Sequence, residues 1–321
     1  MTRPSTLRLD GLEPDNLLAF LALLGLLRAL ERVRPQWRPR VAWTVDAPPV
    51  RPVLHVNDQP TPEMVLDAAV AGLDELAALH DFDGLKDLKL APDIAAQRLR
   101  TAAAGDRYAA DLWAALLSDA AVRTQGSARE TEPTPLCLLS TGRTNFLSNL
   151  ACVPRESSPP APRKTRLSAA ECLSAALFQP WMRPDDATGR SFRWDPHEAV
   201  RHALRATDPT DAKTKQRTQH GANRLAAIGL SALTVVPRSS RTGSSRLEVL
   251  GGARERGHRG PRVFIWPIWR HPVSLATIRA LLGHPRLRES AARDALGVVE
   301  LRRARRISVG RYQNVTRAES T

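Results

Sequence analysis

Cysteine is scarce in this chain: Cys137, Cys152 and Cys172 are the only three, an odd number with no C-x-x-C spacing. That argues against a disulfide framework or a zinc ribbon and fits a reducing cytosol. Long apolar runs are missing too. The longest, Leu17 to Leu30, spans 14 residues and contains Arg28, whereas a membrane span needs roughly 20. It reads as a buried helix, and no membrane is expected as a partner. Met1 to Asp10 holds no apolar signal segment, so a cytoplasmic location is expected. G-x-x-x-x-G-K-[ST], G-x-G-x-x-G and G-x-S-x-G patterns are absent, and no nucleophile stands at readable spacing from a base. The expectation is a protein that is not an enzyme and carries no cofactor.

Lysine is the other shortage: five of 47 basic residues, namely Lys86, Lys89, Lys164, Lys213 and Lys215. With arginine, alanine and proline all abundant, a GC-rich genome accounts for much of this. It does not account for where the charge lies. Residues 1–200 carry 23 Lys+Arg against 25 Asp+Glu, and residues 201–321 carry 24 against 8, within a total of +14. So steep an asymmetry points to a segment facing a polyanion, with nucleic acid as the leading partner. The chain is 42% hydrophobic, enough for a sizeable core.

Periodicity gives an α+β reading: a helix-rich N-terminal part with a short sheet, then a basic, mixed α/β C-terminal part with antiparallel strands. A strand is expected over Leu7 to Leu12. A helix capped near Asp15 or Asn16 follows, running to about Val33 before Pro35. Strands are expected over Trp37 to Val45 and Val50 to Val56, and helices from Pro62 to Ala121, broken at Gly84 and Gly105. Gln125 to Pro135 reads as a polar loop and Leu136 to Leu139 as a short strand. A helix starts over Phe146 to Leu150. Further helices cover Leu167 to Phe178, Ala222 to Leu230 and Leu275 to Leu282. Strands cover Leu233 to Val236, Val263 to Trp269 and Val298 to Val309. Arg238 to Gly260, rich in Gly, Ser and Arg, reads as a mobile basic hairpin or loop with one strand-like patch at Leu247 to Leu250. Pro154 to Arg166 is the best linker, dividing a near-neutral domain (1–153) from a basic one (167–321) unless the two interweave.

The candidate binding residues lie mostly in the basic third. Lys213, Lys215 and Arg217 alternate through a polar stretch leading to His220-Gly221-Ala222-Asn223-Arg224. Gly221 permits close backbone approach. Asn223 offers an amide to a base edge or phosphate, and a helix beginning here would aim N–H groups at an anion. A capped helix behind a solvated loop is the equal alternative. Arg302, Arg303, Arg305 and Arg306 flank Ala304 on an expected strand, with Arg311, Tyr312 and Asn314 beyond. An arginine-lined strand face is costly unless water or an anion covers it. A phosphate track would cover it; an edge strand protected by charge is the alternative. Arg143 and Asn145 lead into a helix and offer either a phosphate site or a plain turn. Trp266 and Trp269 read as core, with base stacking beside Arg262 and Arg270 as their other use.

Two near-motifs favour a metal less than they first suggest. His197-Glu198 with His202 approaches H-E-x-x-H, but spacing i, i+5 sets the histidines about 140° apart on a helix. His80-Asp81 with Asp83 lacks partner histidines. No metal site is expected.

Three stretches carry a resemblance: Leu9-Asp10-Gly11-Leu12 leading into Asn16 to Arg28; Gly221 to Ala226 with Gly229; and Trp266 to Trp269 with the strand from Leu296 to Arg306. Together they resemble CRISPR-associated proteins of type I systems, particularly subtype I-G (formerly I-U), where such chains serve as large-subunit-like parts of the Cascade effector complex or accompany its helicase-nuclease. The resemblance implies a non-enzymatic subunit of an RNA-guided interference complex that holds target DNA, crRNA or both, with other effector subunits as partners. Two alternatives stand beside it: a metal-dependent nuclease, or an interaction subunit whose arginines meet an acidic protein.

Overall fold

The computed structural model describes residues 5–85, 87–125, 128–136, 143–159, 167–198, 217–239, 245–255, 262–309 and 312–321. Lys213, Lys215, Arg311 and His202 fall outside them. So do 137–142, 160–166, 240–244 and 256–261, which hold most of the expected Leu136 to Leu139 strand and parts of the expected linker and basic loop.

The fold is α+β. Strand β1 (Ser5–Arg8) precedes helix α1 (Leu17–Val33). Asn16 caps that helix by accepting the amide hydrogens of Leu18 and Ala19 at 2.9 and 3.4 Å. Strands β2 (Arg40–Trp43) and β3 (Pro52–Val56) complete an antiparallel sheet of order β1-β3-β2. Helices α2 (Pro62–Ala78), α3 (Pro92–Ala104) and α4 (Arg107–Leu116) follow. Val65, Ala69, Leu73 and Leu76 of α2 share one fully buried face. The expected loop at Gln125 to Pro135 is in part a hairpin, β4 (Val122–Gln125) on β5 (Ala128–Thr131). Its polar composition hid the alternation, because one face of a hairpin can be entirely wet.

Helices α5 (Arg143–Cys152) and α6 (Ala169–Leu177) lead to the short pair β6 (Asp185–Asp186) and β7 (Arg217–Thr218), then to α7 (His220–Gly229). The second half holds hairpin β8 (Val235–Ser239) with β9 (Ser245–Val249), then β10 (Gly252–Arg254) and β11 (Arg262–Trp269). Helices α8 (Leu275–Leu282) and α9 (Ser290–Ala295) come next, before β12 (Val298–Val309), β13 (Tyr312–Val315) and β14 (Glu319–Ser320). The larger sheet has order β10-β11-β12-β13, with β14 also on β12. The stretch expected to be a basic hairpin or loop contains strands β9 and β10.

One hydrophobic core runs through both halves of the chain. Its centre is the crossing of α1 and α7, where every residue of α7 is buried. The backbones touch there. A Cβ on Gly25 would lie 1.8 Å from the Leu225 carbonyl oxygen, and one on Gly229 would lie 2.1 Å from that of Leu21. Only glycine admits that approach. Phe20 of α1 stacks on Trp266 of β11 with ring centroids 5.5 Å apart, tying the larger sheet to the helices. The Trp269 indole donates to the Val41 carbonyl at 2.7 Å, tying the sheets to each other. Both tryptophans are core. The expected linker begins inside the fold: Pro154 is buried, and Arg155 donates to the carbonyls of Ala77 and His80 at 3.1 Å each. No helix among the described residues is long and apolar enough to cross a membrane.

Forcing the α1–α7 crossing apart should be costly. Gly25→Ala is expected to lose at least about 3 kcal/mol of unfolding free energy in urea, since an added methyl there meets backbone. Ala71→Ser, on the exposed face of α2, should stay within about 0.5 kcal/mol of the parent.

Candidate nucleic-acid interface

The structure separates the expected binding residues. Asn223 and Arg224 are fully buried in α7. The Asn223 amide donates to Thr218 Oγ1 at 2.7 Å and to the Gln219 carbonyl at 3.1 Å. Arg224 Nε donates to the Pro154 carbonyl at 3.2 Å, and its Nη2 to Asp74 Oδ1 at 3.0 Å. Burial pulls the Arg224 pKa down, and Asp74 opposes that shift. Neither residue faces a backbone ligand; both are corrected here to architectural roles. The N-terminus of α7 is also taken, because the His220 amide donates to Asp185 Oδ2 at 3.0 Å. Arg217 is exposed and donates to the Pro184 carbonyl at 3.1 Å. Arg143 and Asn145 begin α5, and their side chains lie outside the description.

The arginine strand is a second correction. Arg303 and Arg305 do share a face of β12, but carboxylates cover it. Their guanidinium nitrogens lie 3.2 and 3.4 Å from Glu255 and 3.0 and 2.9 Å from Glu319. Glu319 holds the Arg305 pKa up, and Arg305 and Arg303 hold that of Glu319 down. Arg302 pairs with Glu300 at 2.5 Å and sits opposite the core residue Trp266. The anion expected over these three arginines is supplied by the protein itself.

The near-motifs resolve as structure. His80 is buried, with Nδ1 on the Leu150 carbonyl at 2.7 Å and Nε2 on the Tyr108 hydroxyl at 2.5 Å. Burial lowers its pKa to about 4. Glu198 turns inward and accepts hydrogen bonds from the hydroxyls of Ser191 and Thr218. Burial first, then the nearby Asp195 carboxylate, raises its pKa to about 8. Asp195 itself is fixed by Arg183 at 2.6 Å and by the Asn16 amide at 3.1 Å, so this polar cluster reaches the cap of α1. Among the described residues no three His, Cys, Asp or Glu side chains gather as metal ligands.

A different arginine cluster emerges on the larger sheet. Arg254 of β10 lies directly opposite Arg262 of β11, and the register that sets Val263 opposite Arg305 brings Arg306 of β12 beside Arg262. Three adjacent strands thus carry a cross-strand row of arginines. Like charges placed opposite one another destabilise a sheet. The row borders a recess of about 190 Å³ between hairpins β4–β5 and β8–β9. Among the described residues, Arg123, Arg238, Arg246, Arg254 and Arg262 line it with Glu132 and Glu248, over an apolar floor that includes Leu247, Val249 and Phe264. Glu132 is held by Arg123 and accepts the Leu247 amide hydrogen at 3.1 Å, clamping one hairpin to the other. Glu248 is held by Arg238 at 2.9 Å. Burial and then the neighbouring Arg254 push the Arg262 pKa down to about 10. A cation disfavoured by its own neighbours is stabilised by any anion that arrives. Sequence reasoning missed this site because the row joins residues 254, 262 and 306, and only strand register brings them together.

No family model, curated protein or solved structure matches this chain.

The buried Glu198 makes stability fall with pH. Its folded pKa, about 8, exceeds the unfolded value of 4.5, so the folded state keeps a proton that the unfolded state loses. Its contribution is full below the unfolded pKa and drains away as pH rises towards 8. Glu198→Gln keeps an acceptor without that ionisation. Its stability relative to the parent should rise between pH 5 and 8 at up to about 1.4 kcal/mol per pH unit, as read by urea titrations across that range.

Proposed function

We propose that this protein binds the sugar-phosphate backbone of nucleic acid at the arginine row of β10, β11 and β12, without catalysing a reaction on it. The single observation behind this reading is the alignment of Arg254, Arg262 and Arg306 across three strands, beside a recess in which arginines outnumber carboxylates among the described residues. Such a row costs folding energy that a bound polyanion returns. The charge excess beyond residue 200 supports it, and so does the choice of arginine, whose planar fork matches phosphate oxygens.

The resemblance to type I CRISPR-associated proteins suggests the setting: an RNA-guided interference complex, where base pairing reads the sequence and protein subunits hold backbones. A row of arginines across neighbouring strands is the equipment that task requires. In this reading the strand face bearing Arg303 and Arg305 is structural, and the arginine row at the end of the opposite, otherwise core-facing side binds.

Fluorescence anisotropy with labelled oligonucleotides over a salt series tests the reading. Binding should weaken steeply with salt through counterion release. Arg254→Ala with Arg262→Ala should lower affinity at least tenfold and reduce the salt slope by about two. Arg303→Ala with Arg305→Ala should change affinity less than twofold. Loss of binding in the second pair alone would overturn the assignment.

A further inference from the structure

We infer that a second recess, at one end of the three-stranded sheet, binds a tetrahedral oxyanion of the phosphate class, free or as the terminal group of a larger molecule. This site is separate from the arginine row and does not depend on it. Its lining includes Glu31, Arg38, Arg40, Asn57 and Ser274, so the last turn of α1, the turn into β2, the end of β3 and the start of α8 all meet there. Arg40 carries the inference. Its Nε lies shielded from solvent and donates to nothing. A shielded donor without an acceptor costs folding energy that an arriving acceptor returns. Among the described residues neither Arg38 nor Arg40 has a carboxylate partner. The cross-strand neighbour of Arg40 is His55. Burial first, then Arg40, lowers the His55 pKa, so that neighbour is neutral near neutral pH and supplies no counter-charge.

The acid that lines the recess is committed elsewhere. Glu31 accepts the Leu275 amide hydrogen and faces Arg28 and Arg279, and those two arginines also hold Asp111 at 2.7 and 3.2 Å. Ser274 caps α8 by accepting the Thr277 amide hydrogen at 3.3 Å. The helix end is thus satisfied from within, and the binding groups are the guanidiniums of Arg38 and Arg40 with the Asn57 amide. Guanidinium donors sit in a fixed planar fork that matches anionic oxygens. Donors brought from the turn before β2 and from the end of β3 surround a ligand, which fits the spread oxygens of a phosphate better than the flat pair of a carboxylate. The backbone holds this arrangement at a cost. Arg38, Asp58 and Gln59 are left-handed, with φ of 47°, 66° and 48°. The Asn57 amide hydrogen on the Trp37 carbonyl, at 2.9 Å, ties the two turns together. Residues other than glycine adopt that conformation against a steric penalty, and such strain gathers where ligands are clamped.

Isothermal titration calorimetry of the full chain tests the site, with inorganic phosphate, adenosine 5′-monophosphate and acetate as probes. Phosphate is expected to bind with a Kd on the order of 1 mM or tighter. Arg40→Ala should weaken it at least about tenfold. Arg38→Ala should weaken it too, and Arg254→Ala should leave it within about twofold. Tighter binding of the nucleotide assigns the site to a carried phosphate group, and binding of phosphate alone assigns it to the free ion; both support the inference. No phosphate binding, acetate bound as tightly as phosphate, or a loss in Arg254→Ala alone overturns it. Arg38 is exposed, so its replacement reads the site even if Arg40→Ala does not fold, and undiminished phosphate binding by Arg38→Ala also overturns the inference. None of these results bears on the oligonucleotide titrations of the arginine row, so the two sites stand or fall separately.

Discussion

The contact on which the rest of the molecule depends is the touching of two backbones, α1 against α7, at Gly25 and Gly229. It draws α7 into the interior along its whole length. Once there, the polar side chains of α7 turn to partners inside the protein, because an unpaired buried donor or acceptor costs folding energy. Arg224 finds Asp74 and the Pro154 carbonyl, Asn223 finds Thr218, and the helix N-terminus finds Asp185. Residues that look like equipment for a ligand are committed to holding distant segments of chain together.

The same centre fixes the sheets. Phe20 stacks on Trp266, and Trp269 donates to Val41, so the inner side of β11 and β12 is set by α1 and the first sheet. What remains variable is where charge is compensated. On the Arg303 and Arg305 face of β12, Glu255 and Glu319 supply the counter-charge. In the row of Arg254, Arg262 and Arg306, arginines sit beside arginines across strands, and burial first, then Arg254, lowers the Arg262 pKa. Positive charge thus has two settings in one sheet, carboxylates on one strand face and neighbouring arginines along the row.

Local features of the fold were legible in the sequence. The cap at Asn16, the helix from Leu275 to Gly283 and the long strand from Val298 to Val309 depend on neighbouring residues and on periodicity, which a single sequence displays. The expectation of strands and helices in an α+β arrangement followed from those elements. The hairpin at 122–131 was not legible, because its alternation is polar on both sides. The fates of Arg224 and Arg303 were not legible either. Asp74 lies 150 residues before Arg224, and Glu319 reaches Arg303 and Arg305 only because β14 folds back onto β12. The candidate site was the least legible part. Arg254, Arg262 and Arg306 fall on three strands, and composition registers their charge without their alignment.

The central claim, that nucleic acid meets the arginines of the recess and not the carboxylate-covered strand face, is met most directly by chemical footprinting. Arginines of the full chain are modified with phenylglyoxal, with and without a saturating single-stranded oligonucleotide, and mapped by mass spectrometry. The account predicts protection of Arg246, Arg254 and Arg262 with unchanged reactivity at Arg302, Arg303 and Arg305. Protection confined to Arg302, Arg303 and Arg305, or no protection at any of the six, would contradict it.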